Sequence, residues 1–394
     1  MKKVCFAKLL RKDDKVLGGF TWYFQNVKPY DELTELLTSF SEKNFEIDYT
    51  NFEDIDVNTS VVLSIGTIDT TDSMFLDMLR KVFDMECKKI FIELTCFDHQ
   101  EIDISIYDFC RAECKKELYF IDKNMKPISD DILFFEHHAY HTSMYIPKYI
   151  NQFNDLNSWS HKFQKISKGL FLSGHIRFHK VELLNYLYTN GLLDENFIWS
   201  STDETFQPEI YREFIPLKNE EEFRNFKILE KLPKSVDFDV FDKWKYHNYP
   251  SHVNFMNYIN TYFEIVPETH FYHREGCNFT IDTRLDWCSI SEKTCKALRL
   301  NVPFIMVSKP NTIKYLTERF GFDVSLPNWK HDYDTIEDDR LRMTTIQNRL
   351  KEILTMDKSD LHELHYEYFW NKNNNTIFIE NFYNKPLQII FNKF

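Results

Sequence analysis

Apolar and polar positions along this chain switch between a strand-like and a helix-like period many times. Lys3–Leu9 reads as a first strand, Gly18 and Gly19 follow in a loop, and Asp31–Phe40 reads as a helix. Thr59–Ile65 (TSVVLSI) is a buried, β-branched run that stops at Gly66. Met74–Phe83 has helical spacing, and Lys89–Leu94 (KIFIEL) is the next strand. Such alternation predicts a parallel sheet with helices on both faces. Ligands in such sheets bind beyond the carboxyl ends of the strands.

The stretch Asn151–Lys168 is polar and has no clear period, so it reads as a linker. The pattern then restarts. Gly169–Leu172 is a short strand, and Lys180–Tyr188 is a helix ended by Asn190 and Gly191, a good C-terminal stop signal. Tyr262–Val266 is another apolar run. Ser291–Leu300 reads as a helix, Val302–Val307 as a strand, and Thr312–Phe320 as a helix that stops at Gly321. Asp338–Leu354 and Lys358–Trp370 read as helices. No short repeat is present. The expectation is α/β, with two similar halves.

Composition adds bounds. A chain of 394 residues exceeds what one hydrophobic core usually supports, and 43% hydrophobic with 28% charged residues is a soluble globular balance. Only 8 glycines are present, so a phosphate site is expected to use side chains and helix ends rather than a glycine-rich loop. The formal charge of −13 argues against broad nucleic-acid binding, though not against a local basic groove. The 8 cysteines include no CxxC pair; Cys110 and Cys114 have no partners that complete a zinc pattern. Reduced thiols and the lack of a signal or membrane-length apolar run give a cytoplasmic expectation.

Two segments carry candidate chemistry. Phe171–Lys180 (FLSGHIRFHK) places Arg177, His179 and Lys180 in the turn from a strand into a helix. Free backbone N–H groups and the helix dipole favour an anion there, and cationic side chains would hold a pyrophosphate. The plain alternative is a solvated basic turn. In the second segment, Ser289–Leu298, Glu292 and Lys293 open a helix that runs into a buried strand. A carboxylate can accept both hydroxyls of a ribose while the neighbouring ammonium neutralises phosphate. The plain alternative is helix capping by Ser289 or Ser291.

These residues resemble a family. Arg177-Phe-His-Lys, followed by Leu-Leu-x-x-Leu and Gly-Leu-Leu-Asp, is similar to the first half-motif of GT-B-fold glycosyltransferases of phages and large viruses. The second half-motif resembles Pro267-Glu-Thr, Ser291-Glu-Lys-Thr, Pro303-Phe-Ile, Leu316 through Gly321-Phe322, Asp332-Tyr-Asp334 and Arg340. The Ser-Glu-Lys segment is also similar to the donor segment of the α-1,3-fucosyltransferases. The resemblance spans roughly Gly169 to Trp370. The first half resembles the acceptor domain of T-even phage DNA glucosyltransferases only in strand–helix order.

The resemblance implies two Rossmann-like domains facing across a cleft. Residues 1–160 would be the acceptor side, 161–355 the nucleotide-sugar-binding domain, and 356–394 C-terminal helices packing back toward the first. It implies a UDP- or GDP-linked sugar as co-substrate and no other cofactor. The donor set would be Arg177, His179, Lys180, Glu268, Ser291, Glu292, Lys293 and Thr294, with Arg177 and Lys293 also catalytic. The acceptor hydroxyl needs a base, for which Glu93, Asp98 and Glu136 are candidates and Asp98, just past the KIFIEL strand, is preferred. Cys96 stands where the family's acidic residue would be expected. Asp237-Phe-Asp239 sits in a loop-like stretch and reads as solvated or substrate-facing rather than metal-binding. Glu136-His-His-Ala-Tyr-His141 reads as ordinary loop histidines despite the spacing of His137 and His141.

The leading acceptor expectation is a hydroxymethylated base in phage DNA, with a cell-surface or protein-linked glycan as alternative. A non-catalytic nucleotide-sugar-binding protein is the competing class. No membrane association is expected, and a monomer or weak dimer is.

Overall fold

The computed structural model describes residues 2–14, 19–26, 47–49, 54–65, 73–94, 104–122, 125, 129–135, 165–173, 177–201, 221, 224–232, 255–268, 271–272, 288, 290–325 and 331–394. The chain is a mixed α/β protein with largely parallel sheets and divides into two compact units. Unit 1 is Met1–Tyr140, Thr283–Trp287 and Phe382–Phe394; unit 2 is His141–Asp282 and Cys288–Asn381.

Unit 1 is built on strands β1 (Lys2–Asp14), β2 (Gly19–Asn26), β3 (Ile47–Tyr49), β4 (Thr59–Ile65), β5 (Lys89–Glu93), β6 (Glu117–Asp122) and β7 (Ile132–Phe134). Their order is β2-β1-β4-β5-β6-β7, with β3 beside the start of β1. All pair in parallel except β1 with β2. Gly19, expected in a loop, therefore opens a strand. That hairpin also extends β1 through polar Arg11–Asp14, whose pattern alone gives no strand signal.

Helices α1 (Ser73–Asp84) and α2 (Ile104–Glu113) cover one face of this sheet. Phe75, Leu79, Val82, Ile106 and Cys110 pack there on Leu63, Ile65, Ile90, Ile92 and Phe120. The opposite face, with Val4, Val62, Phe91, Tyr119 and Ile121, is covered by Leu387, Ile390 and Phe394 from the end of the chain.

Among the described residues, unit 2 has four parallel strands: β8 (Ser167–Ser173), β9 (Phe197–Ser201), β10 (Thr261–Pro267) and β11 (Phe304–Val307). Their order is β11-β10-β8-β9. The expected linker thus ends earlier than its polarity suggests, because Ser167 and Lys168 already belong to β8; 151–164 lie outside the described residues. Helix α3 (Phe178–Thr189) leads from β8 toward β9. After α4 (Phe255–Ile259) and β10, α5 (Glu292–Arg299) leads into β11. Then come α6 (Thr312–Phe320), α7 (Asp339–Thr355), α8 (Lys358–Asn371) and α9 (Asn374–Ile377), a π-helical turn over Phe378–Asn384, and α10 (Lys385–Lys393).

The C-terminal region does not behave as one block. In α8, His365 Nδ1 lies 2.8 Å from the Tyr262 carbonyl on β10, and Phe369 packs by Leu170, so α8 stays with unit 2. Only 382–394 belong to unit 1, where Lys88 and Lys89 donate to the Phe394 and Lys393 carbonyls at 3.3 and 2.7 Å. The expected helix over Asp31–Phe40 lies outside the described residues.

Candidate functional site

The strand order of unit 2 creates its site. From β8 the chain passes through α3 toward β9, on one side; from β10 it passes through α5 to β11, on the other. Adjacent parallel strands whose connections diverge leave a crevice at their carboxyl ends, the usual ligand position in open α/β sheets. The starts of α3 and α5 both lie at this edge.

Arg177 is the N-cap of α3, in extended conformation and with its side chain half-buried. His179 and Lys180 follow in the first turn, both buried. The His179 Nε2–H donates to the Glu268 carbonyl at 2.9 Å, and the ring stacks on Phe271 at 5.6 Å. Burial, reinforced by the Lys180 charge, pushes the His179 pKa well below the ordinary histidine range, so the imidazole is neutral. Burial, followed by repulsion from Lys293 and Arg177, likewise pulls the Lys180 ammonium well below the usual lysine value. The Arg177, Lys180 and Lys293 side chains thus share one place, close enough to repel one another. An anion entering there would restore the charge that burial disfavours.

At the start of α5, Ser291 is the N-cap and its hydroxyl accepts from the Lys293 N–H at 3.4 Å. Glu292 and Lys293 are half-buried and ion-paired at 2.7 Å. Burial works against the Lys293 ammonium, but the Glu292 and Glu268 carboxylates outweigh it and hold its pKa above the ordinary value. Glu268, just past β10, is buried; its Oε1 accepts the Ser291 N–H at 3.0 Å and the Thr294 hydroxyl.

The sequence-predicted donor residues therefore sort into two groups. Arg177, Lys180, Glu292 and Lys293 form the charged set. His179, Glu268, Ser291 and Thr294 are buried and bonded largely to one another.

Sequence reasoning missed the supporting layer. Arg342 on α7 is buried, with its guanidinium 4.4 Å from the Phe271 ring. It donates to the carbonyls of Phe271 at 2.7 Å, Ile336 at 2.7 Å and Ser308 at 3.2 Å. An arginine on the apolar stripe Met343, Ile346, Leu350 was the available signal. Arg340, within the second half-motif, pairs with Glu182 at 2.7 Å, and the Tyr272 hydroxyl donates to the other Glu182 oxygen. Glu264, a carboxylate inside the apolar strand TYFEIVP, accepts the Tyr258 hydroxyl at 3.1 Å; burial raises its pKa to about 8.

In unit 1, Glu93 ends β5 fully buried and accepts the Ser64 hydroxyl at 2.5 Å. Asp98 and Glu136, the Glu136–His141 cluster, and Asp237 and Asp239 lie outside the described residues. Among the described residues no group of three His, Cys, Asp or Glu side chains could hold a metal ion. Among them, too, no helix is long and apolar enough to cross a membrane.

No protein-family model matches the chain, and no curated protein does. A solved structure, the crystal structure of alpha1,3-fucosyltransferase, is similar with a TM-score of 0.42 and 10% identity over 88% of each chain. That likeness is too distant to assign an activity.

Proposed function

We propose that this protein is a glycosyltransferase on the GT-B plan, whose unit 2 grips a nucleotide-sugar through its diphosphate and ribose. The observation that carries the reading is the meeting, at the switch point of β8 and β10, of two helix starts. One bears Arg177 and Lys180 and the other bears Glu292 and Lys293. Helix N-termini and fixed cations suit a diphosphate, and a carboxylate beside them suits the paired hydroxyls of a ribose.

Cleaving the bond between the sugar's anomeric carbon and the diphosphate oxygen leaves negative charge on the leaving group. Arg177 and Lys293 stabilise that charge as it develops, and because they are placed beforehand they need little reorganisation. The acceptor hydroxyl attacks the anomeric carbon and gives up its proton to a base. Asp98 remains the proposed base, with Glu93 the alternative that is already seated at a strand's carboxyl end. A hydroxymethylated base in DNA is the leading acceptor and a glycan the second.

Calorimetric titration with UDP-, GDP-, CMP- and dTDP-sugars tests the reading. Saturable binding of at least one, with slow hydrolysis or transfer, is expected. Failure of all four to bind overturns it. Binding without any hydrolysis or transfer, on hydroxymethylcytosine DNA, plain DNA or free glycans, favours the non-catalytic alternative.

A further inference from the structure

Glu268 is bonded at both ends of the residue to different parts of the site. Its carbonyl accepts the His179 Nε2–H of α3 at 2.9 Å, and its carboxylate accepts the Ser291 N–H at 3.0 Å and the Thr294 hydroxyl of α5. One residue, nearly fully buried at 2% exposure, thus holds the starts of both helices.

Phe271 is pinned as well. The Phe271 ring stacks on the His179 imidazole at 5.6 Å and has the Arg342 guanidinium 4.4 Å from its centre. Arg342 donates to the Phe271 carbonyl and also to that of Ser308, just past β11. The Glu268 N–H also donates to the Val307 carbonyl at 2.9 Å, so a shift of Glu268 would strain α3, α5 and the ends of β10 and β11 together.

We infer that Glu268 is a positioning residue that sets the spacing between the α3 cations and the Glu292–Lys293 pair, acting through His179, Ser291 and Thr294 rather than by touching the donor. The inference rests on the donor reading above. It assigns Glu268, His179 and Thr294 a role different from the donor contact that the sequence motif implies. The physical reason is that a diphosphate and a ribose are linked by a fixed number of bonds. Their two binding groups act together only at the right separation, and a misplacement of about 1 Å can cost about 100-fold in rate. The neutral state of His179 fits this role, because the Nε2–H is committed to the carbonyl.

A double-mutant cycle tests the tie. Donor affinity is measured by calorimetry, with whichever of the UDP-, GDP-, CMP- and dTDP-sugars the wild-type protein binds, for Arg177→Ala, Lys293→Ala and the pair. The set is repeated in Glu268→Ala, Glu268→Gln and Thr294→Val backgrounds. In the wild type the two losses should be non-additive by about threefold or more, as residues that grip one ligand together behave. In Glu268→Ala, or in Thr294→Val should the former not fold, they should become additive, and kcat should fall by about tenfold or more with a smaller change in donor KM. Glu268→Gln keeps an oxygen acceptor for Ser291 and should restore most of the coupling. Unchanged coupling in folded Glu268→Ala or Thr294→Val overturns the tie while leaving the donor reading in place. Absence of donor binding by the wild-type protein overturns the donor reading itself.

Discussion

Each charged residue at the α3 and α5 starts has a separable task. Glu292 is half-buried and ion-paired at 2.7 Å with Lys293, and a ribose would compete for its oxygens. Glu292→Ala should weaken nucleotide-sugar binding by about 1.5–3 kcal/mol, the usual worth of charged hydrogen bonds. Unchanged affinity by calorimetry in a folded variant would leave Glu292 as a helix-start residue only. Arg177 and Lys293 act on charge that appears during bond cleavage, so Arg177→Ala and Lys293→Ala should each lower turnover by about 10²–10³ and affect affinity less. Activity is expected to survive EDTA. Full loss in EDTA, restored by manganese, would bring Asp237 and Asp239 in as ligands instead.

His331 supplies a pH test away from the site. Its Nδ1 accepts the Tyr333 hydroxyl at 2.8 Å and its Nε2–H donates to the Val324 carbonyl at 3.1 Å, an arrangement that needs the neutral ring. Burial lowers its pKa to about 4. The folded value is below the unfolded one, near 6.5. The contribution to stability is therefore complete above about pH 6.5 and is lost as pH falls through about 4. Asp334, raised to about 6 by burial, shifts stability the opposite way over much of that window. The readout is thus the difference between wild type and His331→Gln in denaturant unfolding. It should narrow from pH 7 to pH 4, and a constant difference would refute the account.

At the scale of elements, β8 depends on Gly169. A Cβ there would collide with the ring of Phe197, its partner on β9. Because β8 also pairs with β10, it cannot shift to relieve the overlap without disturbing that pairing as well. Gly169→Ala should cost about 1–3 kcal/mol, the usual range for overpacking, read by denaturant unfolding. The loss should be accompanied by weaker donor binding, since α3 begins a few residues beyond β8. A neutral substitution would mean that the Phe197 ring swings away freely.

For the molecule as a whole, the last residues of the chain complete the core of unit 1. Leu387 and Ile390 are fully buried and Phe394 nearly so, with the Phe394 ring 4.4 Å from that of Phe91. Removing 385–394 would expose Val4, Val62, Phe91 and Tyr119. At about 1.5–3 kcal/mol for each large buried side chain, the loss should reach about 5 kcal/mol or more. Aggregation or a first melting transition at much lower temperature is the expected result. An unchanged melting profile would show that α10 is dispensable.

Local order determined much of what the sequence alone could show. Thr59–Ile65, Lys89–Leu94, Thr312–Phe320 and the helices of 338–370 are legible because their apolar periods and stop signals act over a few neighbouring residues. The cations Arg177 and Lys180 and the pair Glu292–Lys293 were legible for the same reason, as charges at strand-to-helix turns. What local order could not determine is contact between distant segments. The antiparallel pairing that makes a strand of polar Arg11–Asp14 is such a case. So is which part of 356–394 belongs to unit 1, namely 382–394. The bond from His179 to the Glu268 carbonyl joins residues 89 apart, and Arg342 reaches Phe271 across 71. These pairings depend on strand order and on how buried polar groups find partners. Both are properties of the packed chain and not of any short stretch of it.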